Sequence, residues 1–147
     1  MIPGSMKKLV AFLVLYLPIT AYAQSDMPSL EWRAGQSPNG GVLVGRPARP
    51  YIVTGLWCRI GGSGDSGATI DVYSAPSGIG GTDGTKISTT SCDPAAPIDV
   101  DHDMLAGSAP TIPVGETVYL VTNGGSFKNS AGSIRMRVEP AAEGRAL

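Results

Sequence analysis

A period of two, in which one parity is rich in aliphatic residues, is the pattern that most constrains how this chain can fold. Along residues 51–60 one parity carries Ile52, Leu56, Cys58 and Ile60, and the other carries Tyr51, Val53, Trp57 and Arg59. The same period of two recurs at residues 68–74, 116–122 and 133–139. No stretch spaces its apolar residues at 3.6 over three turns, so the alternation predicts strands that each bury one face.

Turn-forming residues separate these segments. The chain of 147 residues contains 20 Gly and 12 Pro, and weaker strand patterns lie at residues 41–45, 86–92 and 99–104. Seven or eight short strands with turns between them predict an all-β fold, an antiparallel β-sandwich or jelly roll. We expect the sandwich to occupy residues 51–139, after an extended segment at 24–50 and before a flexible tail at 140–147.

The beginning of the chain has the three parts of an export signal. Lys7 and Lys8 precede the apolar run 9–17, and the small residues of 21–23 follow. This order predicts a secretory signal peptide over residues 1–23 and therefore a secreted or periplasmic protein, with no membrane span after cleavage. A retained N-terminal anchor is the alternative.

Export also affects how the two cysteines are interpreted. Cys58 and Cys92 are the only cysteines, and an oxidising compartment favours a disulfide between them. Two buried free thiols are the alternative.

The charges are nearly balanced, with 11 Lys and Arg against 12 Asp and Glu. No basic field is therefore available to attract nucleic acid.

Two short motifs resemble catalytic or nucleotide-binding sequences. Gly62, Gly64 and Gly67 match a dinucleotide-binding pattern, but the residues that follow alternate as a strand instead of starting a helix. Ser66 lies in a Gly-Asp-Ser-Gly stretch, and the single histidine, His102, follows it in the sequence. A small secreted hydrolase would need these two residues plus an oxyanion hole and a pocket, so we predict that the protein is not an enzyme.

Three carboxylates lie two residues apart at Asp99, Asp101 and Asp103. Oxygen-rich clusters of this kind suit Ca²⁺, the one cofactor that the sequence suggests. The alternative is an edge strand whose acids point to solvent, with Ile98, Val100 and Met104 pointing inward.

The large aromatic residues suggest a binding face. Tyr51, Trp57, Tyr73 and Tyr119 all take the parity opposite to the aliphatic residues of their strands. If these strands are neighbours, the four rings share one outer face, which would bind a second copy, another protein or a glycan. The alternative is that this face belongs to a second core layer or is covered by the segment 24–50.

The segment 51–139 resembles the small β-sandwich modules of phage head-decoration and fibre proteins. The resemblance is carried by residues 53–55 (Val-Thr-Gly), 69–73 (Thr-Ile-Asp-Val-Tyr) and 111–118, in which Glu116 replaces an Asp of their pattern. It implies a structural role in a virion. We therefore expect an exported, non-enzymatic structural or binding module, with a virion component as the alternative.

Overall fold

The computed structural model describes residues 27–61, 67–76, 79–94, 96–125, 127 and 129–142. Within these residues the chain forms nine strands and one short 3₁₀ turn at Gly81–Asp83. The strands are β1 (Ser29–Trp32), β2 (Val42–Val44), β3 (Tyr51–Ile60), β4 (Thr69–Ala75), β5 (Thr85–Lys86), β6 (Asp101–Asp103), β7 (Thr111–Ile112), β8 (Thr117–Asn123) and β9 (Gly132–Pro140). The prediction of an all-β fold is confirmed.

Two antiparallel sheets pack as a sandwich. The first sheet has the order β1-β9-β3-β6, and β7 pairs with the far end of β3; the second has the order β2-β8-β4-β5. Side chains from both inner faces meet in one core, whose fully buried members include Leu56, Ile70, Leu120 and Ile134. Burial of these aliphatic side chains is the main favourable contribution to folding.

The expected parity of β3 is wrong in its first half. Val53 is completely buried and Tyr51 packs against the core, although both were expected on the outer side. The reason is a β-bulge: Val53 pairs with Val138 and Gly55 with Arg137, so β3 has one extra residue. An extra residue exchanges the two faces of a strand with period two.

The sandwich begins earlier than residue 51. The segment expected to be extended, 24–50, contributes β1 to the edge of the first sheet and β2 to the edge of the second. Trp32 and Leu43 bring these strands into the core. The proposed signal peptide at 1–23 and the last five residues of the tail lie outside the described residues.

One disulfide joins the two sheets, as predicted from the sequence. Cys58 points inward from β3, and Cys92 forms an isolated bridge with Ile70 of β4. Their Cα atoms are 5.7 Å apart, and both side chains are fully buried. The covalent link therefore connects β3, a central strand of the first sheet, to a segment that is bridged to β4 of the second.

Removal of this disulfide should destabilise the fold. We expect the double variant Cys58→Ala/Cys92→Ala to lose about 3 kcal/mol of unfolding free energy, because the unfolded chain regains the freedom of a loop of roughly 35 residues. Urea denaturation of both proteins measures the difference, with the reduced wild type as control. Equal free energies for the three samples would contradict this expectation.

Candidate functional site

The four aromatic residues expected on one face lie on two different sheets. Tyr51 and Trp57 belong to β3 in the first sheet, and Tyr73 and Tyr119 belong to β4 and β8 in the second. The bulge in β3 also turns Tyr51 toward the core. The expectation of a single shared face is therefore wrong, because β3 and β4 are not neighbours.

On the second sheet Tyr119 is buried and Tyr73 is half-buried. Their rings stack with centroids 6.3 Å apart, and the Tyr119 hydroxyl donates to the carbonyl oxygen of Gly81 at 2.9 Å. Together with Ala75 and Val121 they form a small second hydrophobic cluster. These aromatic residues therefore belong to an additional hydrophobic layer, the alternative to a shared binding face.

The environment of Tyr119 affects its ionisation. Burial raises the pKa of Tyr119 above its ordinary value of 10.0, and the nearby Asp83 carboxylate and the Tyr73 ring raise it further. A tyrosine whose pKa is raised by the fold favours the folded state while it is protonated. Ionisation at alkaline pH should therefore weaken the attachment of the 3₁₀ turn to the sheet.

Trp57 is the aromatic residue on the outer face of the first sheet. It is half-buried, and its ring lies over Gly55, where a Cβ atom would collide with the ring carbons. The Arg137 guanidinium carbon is 5.3 Å from the ring centroid, and Nε of the same arginine donates to Thr54 Oγ1 at 3.2 Å. The absence of a side chain at Gly55 and the arginine contact therefore hold the indole against the sheet.

Charged residues surround Trp57 in columns that follow the strands. β6 contributes Asp101 and Asp103, which pair in register with Arg59 and Trp57 of β3. On the other side of β3, Trp57 pairs with Arg135 of β9, and Arg135 forms a salt bridge with Asp101. An acidic edge strand and a basic strand thus flank one aromatic ring. We call the surface of Trp57, Asp101, Asp103, Arg135 and Arg137 the Trp57 face.

A shallow depression adjoins the ring. It has a volume of about 280 Å³ and is lined by Thr54, Asp103, Leu105 and Ser108 as well as Trp57. Hydroxyl, carboxylate and aromatic groups therefore lie together at this end of the Trp57 face.

The three aspartates proposed to bind Ca²⁺ have separate contacts. Asp101 pairs with Arg135, and Asp103 Oδ1 accepts a hydrogen bond from the Leu105 backbone at 2.8 Å. Asp99 lies before β6 with a positive φ of 58°. Among the described residues, no group of three or more His, Cys, Asp and Glu side chains could hold a metal ion.

The expectation that Ile98 and Val100 point inward is wrong. Ile98 and Val100, expected to point inward, are 55% and 49% exposed, whereas Met104 is buried as expected. The left-handed backbone at Asp99 forms a turn, and the strand begins only at Asp101. The alternation assumed for residues 98–104 therefore starts too early.

Of the two residues that a hydrolase would use, Ser66 and His102, the structure describes only His102. Ser66 and most of the glycine motif, residues 62–66, lie outside the described part of the chain. His102 is half-buried, and its Nε2 lies 3.0 Å from the Pro97 carbonyl oxygen. This contact uses the ring as a local link between β6 and the preceding loop.

Asp71 is the centre of a buried acidic network that the strand alternation does not predict. Asp71 is only 4% exposed, and one of its carboxylate oxygens contacts Lys86 Nζ at 3.0 Å and Ser91 Oγ at 2.7 Å. The other accepts a hydrogen bond from Asn123 at 3.0 Å. Because its partners come from separate segments, the network attaches residues 86–91 to the second sheet. The alternation indicated only that Asp71 lies on the outer side of β4.

Comparison with known proteins gives no match to any protein family, curated protein or solved structure. Within the described residues, no helix is long and apolar enough to cross a membrane.

The raised pKa of Tyr119 leads to a measurable pH dependence. Its contribution to stability should be fully present below the unfolded-state pKa near 10 and should be lost as the pH rises through the higher folded-state pKa. Urea denaturation at about pH 9 and about pH 11 should show a larger loss for the wild type than for Tyr119→Phe. Identical losses in the two proteins would show that Tyr119 does not titrate in this way.

Proposed function

We propose that this protein is an exported, non-enzymatic β-sandwich module that assembles through the Trp57 face. The observation that carries the proposal is the half-buried indole of Trp57, held on a central strand between acidic and basic columns. A rigid aromatic group surrounded by polar residues is a frequent centre of protein interfaces. Export is supported by the pattern of residues 1–23 and by the inter-sheet disulfide.

The charge pattern favours a second copy of the chain as the partner. On the outer side of the first sheet, the acids of β6 lie on one side of β3, and the arginines of β9 lie on the other. Rotation of a second copy about a two-fold axis parallel to β3 places β6 of each copy opposite β9 of the other, so the Asp101–Arg135 ion pair within each chain would lie beside the same pair of its partner. Such an isologous contact is self-complementary and brings the two Trp57 rings together.

A glycan is a second candidate ligand for the same face. The depression beside Trp57 contains an aromatic ring, the carboxylate of Asp103 and the hydroxyl-bearing residues Thr54 and Ser108. Aromatic stacking together with a few hydrogen-bonding groups is a chemistry that suits sugars. Binding that depends on added sugar would distinguish this use from self-association. A structural role in a virion, as the phage resemblance implies, is compatible with self-association and with glycan binding.

Truncation of the indole tests the proposal. We expect Trp57→Ala to weaken self-association at least about tenfold, because interface aromatic residues contribute roughly 2 kcal/mol or more when truncated. Sedimentation velocity over a concentration series measures the effect, with far-UV circular dichroism to confirm folding. Tyr73→Ala on the opposite sheet is the matched control and should leave association unchanged.

A second variant displaces the ring without removing it. In Gly55→Ala the new methyl group occupies space that the Trp57 ring fills, so the ring should move and association should weaken. Gly45→Ala is the control, because no atom lies within 4 Å of the added methyl there. A protein that is monomeric at all concentrations and binds no sugar would contradict the proposed function.

A further inference from the structure

The open edge of β1 lies beside a second, separate groove. Its partner strand, β9, occupies one side of β1 only, and β1 is the edge strand of the first sheet. On the free side, β1 faces residues 36–39 and Gly41 across a groove of about 470 Å³. Residues that line it include Leu30, Glu31, Trp32, Gln36, Ser37 and Pro38.

The register fixes which backbone groups point into this groove. The Met136 amide donates to the Pro28 carbonyl at 3.0 Å, and the β1–β9 register continues this pairing, with Leu30 opposite Ile134. Antiparallel ladders alternate, so the amide and carbonyl groups of Ser29 and Glu31 point away from β9. No hydrogen bond to these outward groups occurs within the described part of the chain.

Arg33 supports this assignment. It follows Glu31 by two residues, so its backbone groups also point outward, and both are already paired within the chain. Its amide donates to Gln36 Oε1 at 3.1 Å, and its carbonyl accepts from the Gln36 amide at 2.9 Å. Gln36 therefore closes the end of the edge and leaves two residues, Ser29 and Glu31, with unpaired backbone groups.

We propose that this edge binds an extended peptide segment of a partner protein as an added strand. Unpaired amide and carbonyl groups at alternate residues match the backbone of an extended chain. The peptide side chains would alternate in the same way as those of β1. One set would lie next to Leu30, which packs against the core, and the other next to Glu31, which is exposed.

The charge of the groove specifies the peptide further. Glu31 carries a carboxylate on the outer side of β1, and the residue paired with it across the new ladder would lie close to it. A lysine or arginine at that position complements the charge. The expected ligand is therefore an extended segment in which apolar residues alternate with polar ones, with a basic residue near its centre.

A labelled model peptide tests this proposal directly. The probe is a blocked heptapeptide in which valine alternates with threonine and a central lysine, and fluorescence anisotropy reports its binding to the purified protein. Two further peptides carry N-methyl groups on alternate amides. Methylation of the set facing β1 should weaken binding at least about tenfold by removing hydrogen bonds, and methylation of the other set should have little effect.

Variants of the protein test the same hydrogen bonds between β1 and the peptide. Glu31→Pro removes an amide that points into the groove and keeps the ladder with β9, so it should abolish peptide binding without lowering the melting temperature. Glu31→Ala keeps the amide and should lose only the preference for lysine. Trp57→Ala should bind the peptide normally, because this inference does not depend on the function proposed for the Trp57 face.

Three results would overturn the inference. They are no binding of the heptapeptide, equal binding of the two N-methylated peptides, and a dimer of the peptide-free protein that Glu31→Pro dissociates. The last result would assign the edge to a second copy of this chain instead of a partner peptide.

Discussion

The structure depends on the attachment of two small sheets to each other across one core. The Cys58–Cys92 disulfide connects β3, a central strand of the first sheet, to the segment bridged to β4, a central strand of the second. A domain of this size buries a limited apolar surface, so a covalent connection between the sheets contributes substantially to its stability. The side chains on the outer faces of the two sheets are therefore less constrained by the requirement for stability.

The side chains on the two outer faces have different surroundings. On the second sheet, Tyr119 and Asp71 are covered by the segments around residues 81–91, which they attach through a hydrogen bond and a buried acidic network. On the first sheet, Trp57 remains half-buried between charged residues. This asymmetry is the structural reason for assigning recognition to the first sheet.

The sequence predicted the strands better than it predicted their arrangement. The period of two identified the long strands β3 and β9, because each buries one face along most of its length. It also located β8, although four successive residues of that strand are buried. It did not identify β1, which has only four residues. Gly55 within β3 was an available signal for the bulge, since glycine inside a strand often marks one. The separation of Trp57 from Tyr119 depends on long-range strand pairing, which alternation does not encode.

The central claim is that the Trp57 face forms a contact between molecules. The chain has two tryptophans, and Trp32 is buried in the core, so the two indole N–H signals in an NMR concentration series provide a probe and an internal control. We expect the Trp57 indole signal to shift or broaden as the concentration rises, while the Trp32 signal stays fixed. A Trp57 signal that is unchanged at every concentration, with and without sugar, would contradict the account.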